Sequence, residues 1–72
     1  MSREALKKAR KNKSMTQREV ADFLGISLRY YLQIEAGKRT GDFKIWDCLE
    51  DLLGVHQRQL RSISDGGQAD SQ

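Results

Sequence analysis

Two stretches of helical periodicity, residues 16–24 and 28–36, are joined by Gly25, Ile26 and Ser27 alone. No other feature narrows the possible folds as much. In the first stretch Val20, Phe23 and Leu24 recur at the i, i+3, i+4 spacing of a helix face, and Ala21 supplies a small inward side chain. Thr16 and Glu19 form a capping box at its start: the hydroxyl can accept from the Glu19 amide, and the Glu19 carboxylate can reach back. Gly25 stands where a left-handed residue ends a helix, Ile26 can plug the turn into the core, and Ser27 is a favoured N-cap. So short a connection forces the two axes to cross steeply.

Helical spacing continues in both directions. Residues 3–12 suit a first helix with Leu6 and Ala9 inward and Lys7, Lys8 and Lys11 solvated. The helix after Ser27 should run from Leu28 to about Ala36 and end at Gly37. Asp42 caps a fourth, Phe43 to Leu53, which Gly54 ends; Gln57 to Arg61 suits a short fifth. Proline is absent, and no stretch alternates apolar and polar residues as strands do. The expectation is all-α, a compact bundle of about five short helices in one domain over residues 1–63, with the steeply crossed pair at 16–37. Residues 64–72 contain no apolar residue larger than Ala69 and are expected to form a disordered C-terminal tail.

On the wheel of residues 43–53, Trp46, Leu49 and Leu53 form one stripe, and Ile45, Cys48 and Leu52 lie beside it. The apolar arc is wider than one core needs. With Leu60 and Ile63 it suggests a surface for a second copy and a two-fold homodimer; the competing use is cover under the chain's own fifth helix and tail.

Seventy-two residues allow one small core. Cys48 is the only cysteine, which excludes disulfide scaffolds and Cys-cluster zinc sites and fits a reducing compartment. No apolar run approaches a bilayer span and the basic start lacks a signal-peptide core, so a cytoplasmic location without membrane contact is expected. His56 has no second histidine at ligand spacing, so it reads as a cap or surface residue, and no metal is implied. Asp47, Glu50 and Asp51 read as a solvated face, and Cys48, lacking a base partner, as a core or interface thiol. Neither a phosphate-binding glycine loop nor a catalytic triad pattern occurs, so no enzyme and no cofactor are expected. Unless it is a fragment of something longer, the chain offers no room for a second, ligand-sensing domain, so no small-molecule ligand is implied. Charge is uneven. Residues 1–41 carry ten Lys/Arg against four acids, +6, and residues 42–72 carry three against six, −3. Such a field suits a polyanionic partner for the first half.

The helix at 28–36 turns Tyr30, Tyr31 and Ile34 one way and Leu28, Arg29, Leu32, Gln33 and Ala36 the other. A helix ~10–12 Å across fits a DNA major groove ~12 Å wide, and a helix-turn-helix presents it there. Arg can hold guanine and Gln adenine with two hydrogen bonds each, and Lys38 and Arg39, just past the helix, can neutralise phosphates.

"TQREVADFLGISLRYYLQIEAGKR", with the Leu-Gly-Val that ends at Val55, resembles the XRE/Cro-type helix-turn-helix, the lambda-repressor-like DNA-binding domain. The likeness spans residues 5 to about 61. It implies a sequence-specific transcriptional regulator of double-stranded DNA, a repressor above all. It further implies base-edge positions at Ser27, Leu28, Arg29, Leu32 and Gln33, and backbone positions at Gln17, Tyr30, Lys38 and Arg39. Gln17 would bond a phosphate while buttressing the reading helix, Arg10 and Glu35 match an ion pair between the first and third helices, and Ala21 and Gly25 match the motif's structural positions. Three departures stand out. Leu28 and Leu32 lie where polar residues are usual, and either pack on thymine methyls or are covered by protein. Gly41 replaces a frequent proline, suggesting a looser loop. Tyr31 replaces an aliphatic residue and its hydroxyl needs a partner. The rival function on the same scaffold is a protein-interaction module, an antitoxin or antirepressor, which the two leucines keep open.

Overall fold

A computed structural model describes residues 2–63, and the expected tail lies outside them. The described chain forms α1 (Glu4–Asn12), α2 (Gln17–Leu24), α3 (Leu28–Glu35), α4 (Phe43–Leu53) and α5 (Gln57–Arg61). Local chemistry sets the boundaries. Thr16 Oγ1 accepts from the Glu19 amide at 3.1 Å while Glu19 Oε1 accepts from the Thr16 amide at 2.8 Å, so both members of the capping box are engaged. Ser27 Oγ and Asp42 Oδ1 accept from the Tyr30 and Ile45 amides, each at 3.1 Å, and open α3 and α4 in the same way. Gly25 is left-handed, with φ 74°, and the next amide, Ile26, returns to the Ala21 carbonyl. α2 can therefore stop and α3 start within three residues.

The core gathers Leu6, Ala9, Val20, Ala21, Tyr31, Ile34, Ile45, Trp46, Leu49, Leu53 and Leu60. α2 and α3 pack at the crossed pair, and α5 closes the other end against α1 and α4. Several expectations about faces need correction. Phe23 is 56% exposed instead of inward. At 100° per residue it lies ~110° from the midpoint of Val20 and Ala21, which carry the buried arc of α2. Ile45 and Leu60, expected on a surface between copies, are 8% and 0% exposed. The wide apolar arc of α4 is used within one chain, because it meets α2 on one side and α5 on the other. Leu52 is half-buried against the core, and only Cys48 and Ile63 of that set are exposed. Cys48 is therefore not a core thiol.

The loop at Gly41 is also tighter than expected. Its φ of 78° is closed to proline, and an added Cβ would lie 3.3 Å from Ile34 Cδ1. One residue earlier, the Thr40 carbonyl accepts from the Trp46 indole at 2.8 Å, which anchors the loop to α4.

The turn makes two distinguishable demands. Ala21 is 1% exposed at the crossing, so Ala21→Leu is expected to cost ~1–3 kcal/mol by overpacking. Gly25 has open space where a Cβ would point, so the loss in Gly25→Val, ~1–2 kcal/mol, comes from its positive φ alone. Gly25→Asn should recover most of that loss. Thermal melting checks all three, at about 4–8 °C per kcal/mol in a domain of this size.

Candidate nucleic-acid interface

The inner face of α3 is held by a carboxylate. Glu35 is 1% exposed and both its oxygens are used. Oε2 accepts from Arg10 Nε at 2.7 Å and from the Tyr31 hydroxyl at 2.6 Å, while Oε1 accepts from Gln17 Nε2 at 3.0 Å and Arg10 Nη2 at 3.5 Å. Arg10 also donates to the Met15 carbonyl at 2.9 Å. One buried group thus ties α1, the connection after it, the first turn of α2, and α3. Tyr31, the departure from the usual aliphatic residue, finds its partner here. Burial first, then the Glu35 hydrogen bond and charge, push its hydroxyl well above the usual phenol range.

With its back fixed, α3 offers its other face. Arg29 is exposed and Gln33 half-buried one turn further on; Leu32 is 38% exposed between them, and Leu28 is half-buried. Ser27 is exposed, but its oxygen is engaged as the α3 cap, leaving the hydroxyl hydrogen to donate. Tyr30 packs its ring against the core and stays half-buried. Lys38 and Arg39 are exposed, and their amides return to the Gln33 carbonyl at 2.9 and 3.2 Å, so the turn carrying both cations is fastened to the end of α3. Gln17 is half-buried and spends one amide hydrogen on Glu35, leaving the other for an outside acceptor.

Arg3 was not singled out by the sequence. It is 4% exposed and is the N-cap of α1, which starts one residue later than the expected 3–12, and the inward set of that expected helix was Leu6 and Ala9 alone. Its amide donates to the Glu35 carbonyl at 2.8 Å. Its guanidinium donates through Nη1 to the carbonyls of Ile34 (2.6 Å) and Arg39 (2.9 Å), and through Nε to that of Arg61 (3.0 Å), while lying 5.2 Å from the centre of the Trp46 ring. The end of α3, the cationic turn, α5 and α4 are held by one side chain. His56 caps α5, its Nδ1 accepting from the Arg58 amide at 3.1 Å.

Among the described residues no cluster of His, Cys, Asp and Glu is suited to hold a metal, and no helix is long and apolar enough to cross a membrane.

A family model described as helix-turn-helix matches residues 6–56. Over 52 residues the chain is 44% identical to the SPbeta prophage-derived HTH-type transcriptional regulator YonR of Bacillus subtilis (strain 168), covering 72% of this chain and 48% of that protein. Over 55 residues it is 42% identical to the HTH-type transcriptional regulator YqaE of the same organism, covering 76% and 47%. The chain therefore spans about half the length of these curated relatives. No solved structure gives a significant match.

The raised Tyr31 pKa has a signed consequence. Above pH ~10 the unfolded chain loses the phenol proton while the folded chain keeps it, so stability falls as pH rises, by up to ~1.4 kcal/mol per pH unit from this group. Tyr31→Phe should start less stable by ~1–3 kcal/mol, having lost a donor to a buried carboxylate. Above pH ~10 its melting temperature should then fall less steeply than that of the wild type. Parallel melting curves from pH 8 to 11 would count against the buried phenol.

Proposed function

This chain belongs to the XRE/Cro-type helix-turn-helix family, and from that premise we propose that it binds double-stranded DNA sequence-specifically as a transcriptional repressor. The reading element is α3, set in the major groove. The observation that carries this is the pairing of a fixed back with a polar front. Glu35 immobilises α3 from inside, while Arg29 and Gln33 stand one turn apart on its outer side. A reading helix needs both, because two-bond contacts to base edges require side chains launched from a rigid backbone.

In this reading Ser27, Leu28, Arg29, Leu32 and Gln33 face base edges, the leucines contributing contact with thymine methyls. Gln17, Tyr30, Lys38 and Arg39 take backbone phosphates and set register. A two-fold dimer would place two α3 helices ~34 Å apart over a roughly palindromic site. Support for a second copy now rests on Cys48 and Ile63, with half-buried Leu52 between core and surface.

Selection of bound sites from random duplexes tests the proposal. Arg29→Ala and Gln33→Ala should each relax preference at one base pair and cost ~1–3 kcal/mol on the selected site. Arg39→Ala should weaken selected and random duplexes about equally. If Arg29→Ala does the same, that residue does not read bases. Stoichiometry on the selected site decides the dimer, where one chain per site would exclude it.

A further inference from the structure

A second cationic surface lies beyond the reading helix. An open cleft of about 680 Å³ runs between the start of α1, the loop before α4, and α5, lined by Arg3, Thr40, His56, Arg58, Arg61 and Ser62 together with Gln57. Among the described residues its lining includes no carboxylate. The nearby acids Asp47 and Glu50 accept from the Gln57 amide, at 2.8 and 3.0 Å, and not from the arginines. Among the described residues neither Arg58 nor Arg61 forms a salt bridge, and both are exposed.

The buried member of the cleft points the same way. Arg3 uses Nε and Nη1 on three carbonyls, whereas Nη2 has no acceptor among the described residues although the side chain is almost wholly buried. An anion in the open cleft would give Nη2 a charged acceptor in place of solvent. Burial and the neighbouring Arg61 charge both lower the Arg3 pKa, the sign expected where like charges converge uncompensated.

We propose that this cleft holds a backbone phosphate of the bound duplex, gripped by Arg58 and Arg61 above the fixed guanidinium of Arg3, so that the DNA footprint extends from α3 onto α5. The inference rests on the DNA-binding reading above. Continuity favours a duplex over a free anion. The cleft begins at Thr40, next to exposed Lys38 and Arg39, and Arg3 bonds the Arg39 carbonyl directly. The two sets of cations are therefore parts of one rigid surface, and an open cleft admits a phosphate still joined to its strand.

The 72-residue chain, Arg58→Gln, Arg61→Gln, the double variant and Lys8→Gln are titrated with one selected duplex over a range of chloride concentrations. Lys8 is exposed on α1 outside the cleft and controls for the one charge lost in each single variant. Arg61 serves Arg3 through its backbone carbonyl, which glutamine keeps. The double variant is expected to bind roughly tenfold more weakly at ~0.1 M salt and to flatten the log–log salt slope by roughly one, as for one lost phosphate contact. Lys8→Gln should stay near wild type. Inorganic phosphate, added at constant ionic strength, should compete with the duplex for the wild type and less so for the double variant. Equal slopes and affinities for the double variant and Lys8→Gln overturn the proposal. So does inorganic phosphate that shifts the Arg58 and Arg61 signals without weakening the duplex. If the wild type itself shows no salt-dependent duplex binding, the DNA-binding reading goes as well, which is a different result from a steep wild-type slope that the α5 variants leave unchanged.

Discussion

The carboxylate of Glu35 is the constraint on which the rest of the structure depends. A buried charge is tolerated only when its lone pairs are taken up, and here both oxygens are occupied by groups from three different helices. Apolar packing alone lets helices slide and rotate at small cost. A carboxylate that must meet Arg10, Gln17 and Tyr31 together permits one arrangement of α1, α2 and α3. The same contact governs what α3 shows to the outside, since fixing the rotation of Tyr31, Ile34 and Glu35 inward fixes Arg29 and Gln33 outward.

Arg3 does for the far end of α3 what Glu35 does for its middle. At the end of α3 the Ile34 carbonyl accepts from the Gly37 amide at 3.1 Å and also from the Arg3 guanidinium, and the Arg39 carbonyl in the turn beyond receives a second guanidinium hydrogen. Trp46 receives the face of that cation and reaches the Thr40 carbonyl with its own N–H. The turn bearing Lys38 and Arg39 is thus bounded by hydrogen bonds on either side, although it is exposed. Surface loops that carry cations are usually mobile; this one is part of the scaffold.

Much of this was legible in the sequence, and what was not shares a physical reason. Caps depend on residue type at fixed local spacing, so Thr16 with Glu19, Ser27, Asp42 and Gly25 could be read directly, as could the limits of α4 and α5. The pairing of Arg10 with Glu35 came from family resemblance, since nothing local joins residues so far apart. Phe23, Ile45 and Leu60 went wrong because a wheel gives the direction of a side chain but not what lies across from it. The arc of α4 had two possible uses, a surface for a second copy or cover under the fifth helix, and a wheel of α4 alone cannot choose between them. Arg3 was expected to open the first helix but stands as its N-cap, and its partners are backbone carbonyls that carry no residue-type signal.

The Arg3 clasp also bears on the order in which the chain becomes structured. Its three carbonyl partners are 31, 36 and 58 residues away, so it joins nearly opposite ends of the described chain. The crossed pair α2 and α3, by contrast, is closed by contacts between near neighbours, which form early at little entropic cost. On a ribosome, synthesis proceeds from the N-terminus, and Arg61 emerges last of the three partners. The helix-turn-helix and the turn fastened to Gln33 can therefore assemble before the clasp is complete. The bond from Arg3 to the Arg61 carbonyl is available only once α5 has folded back, so the clasp is completed last.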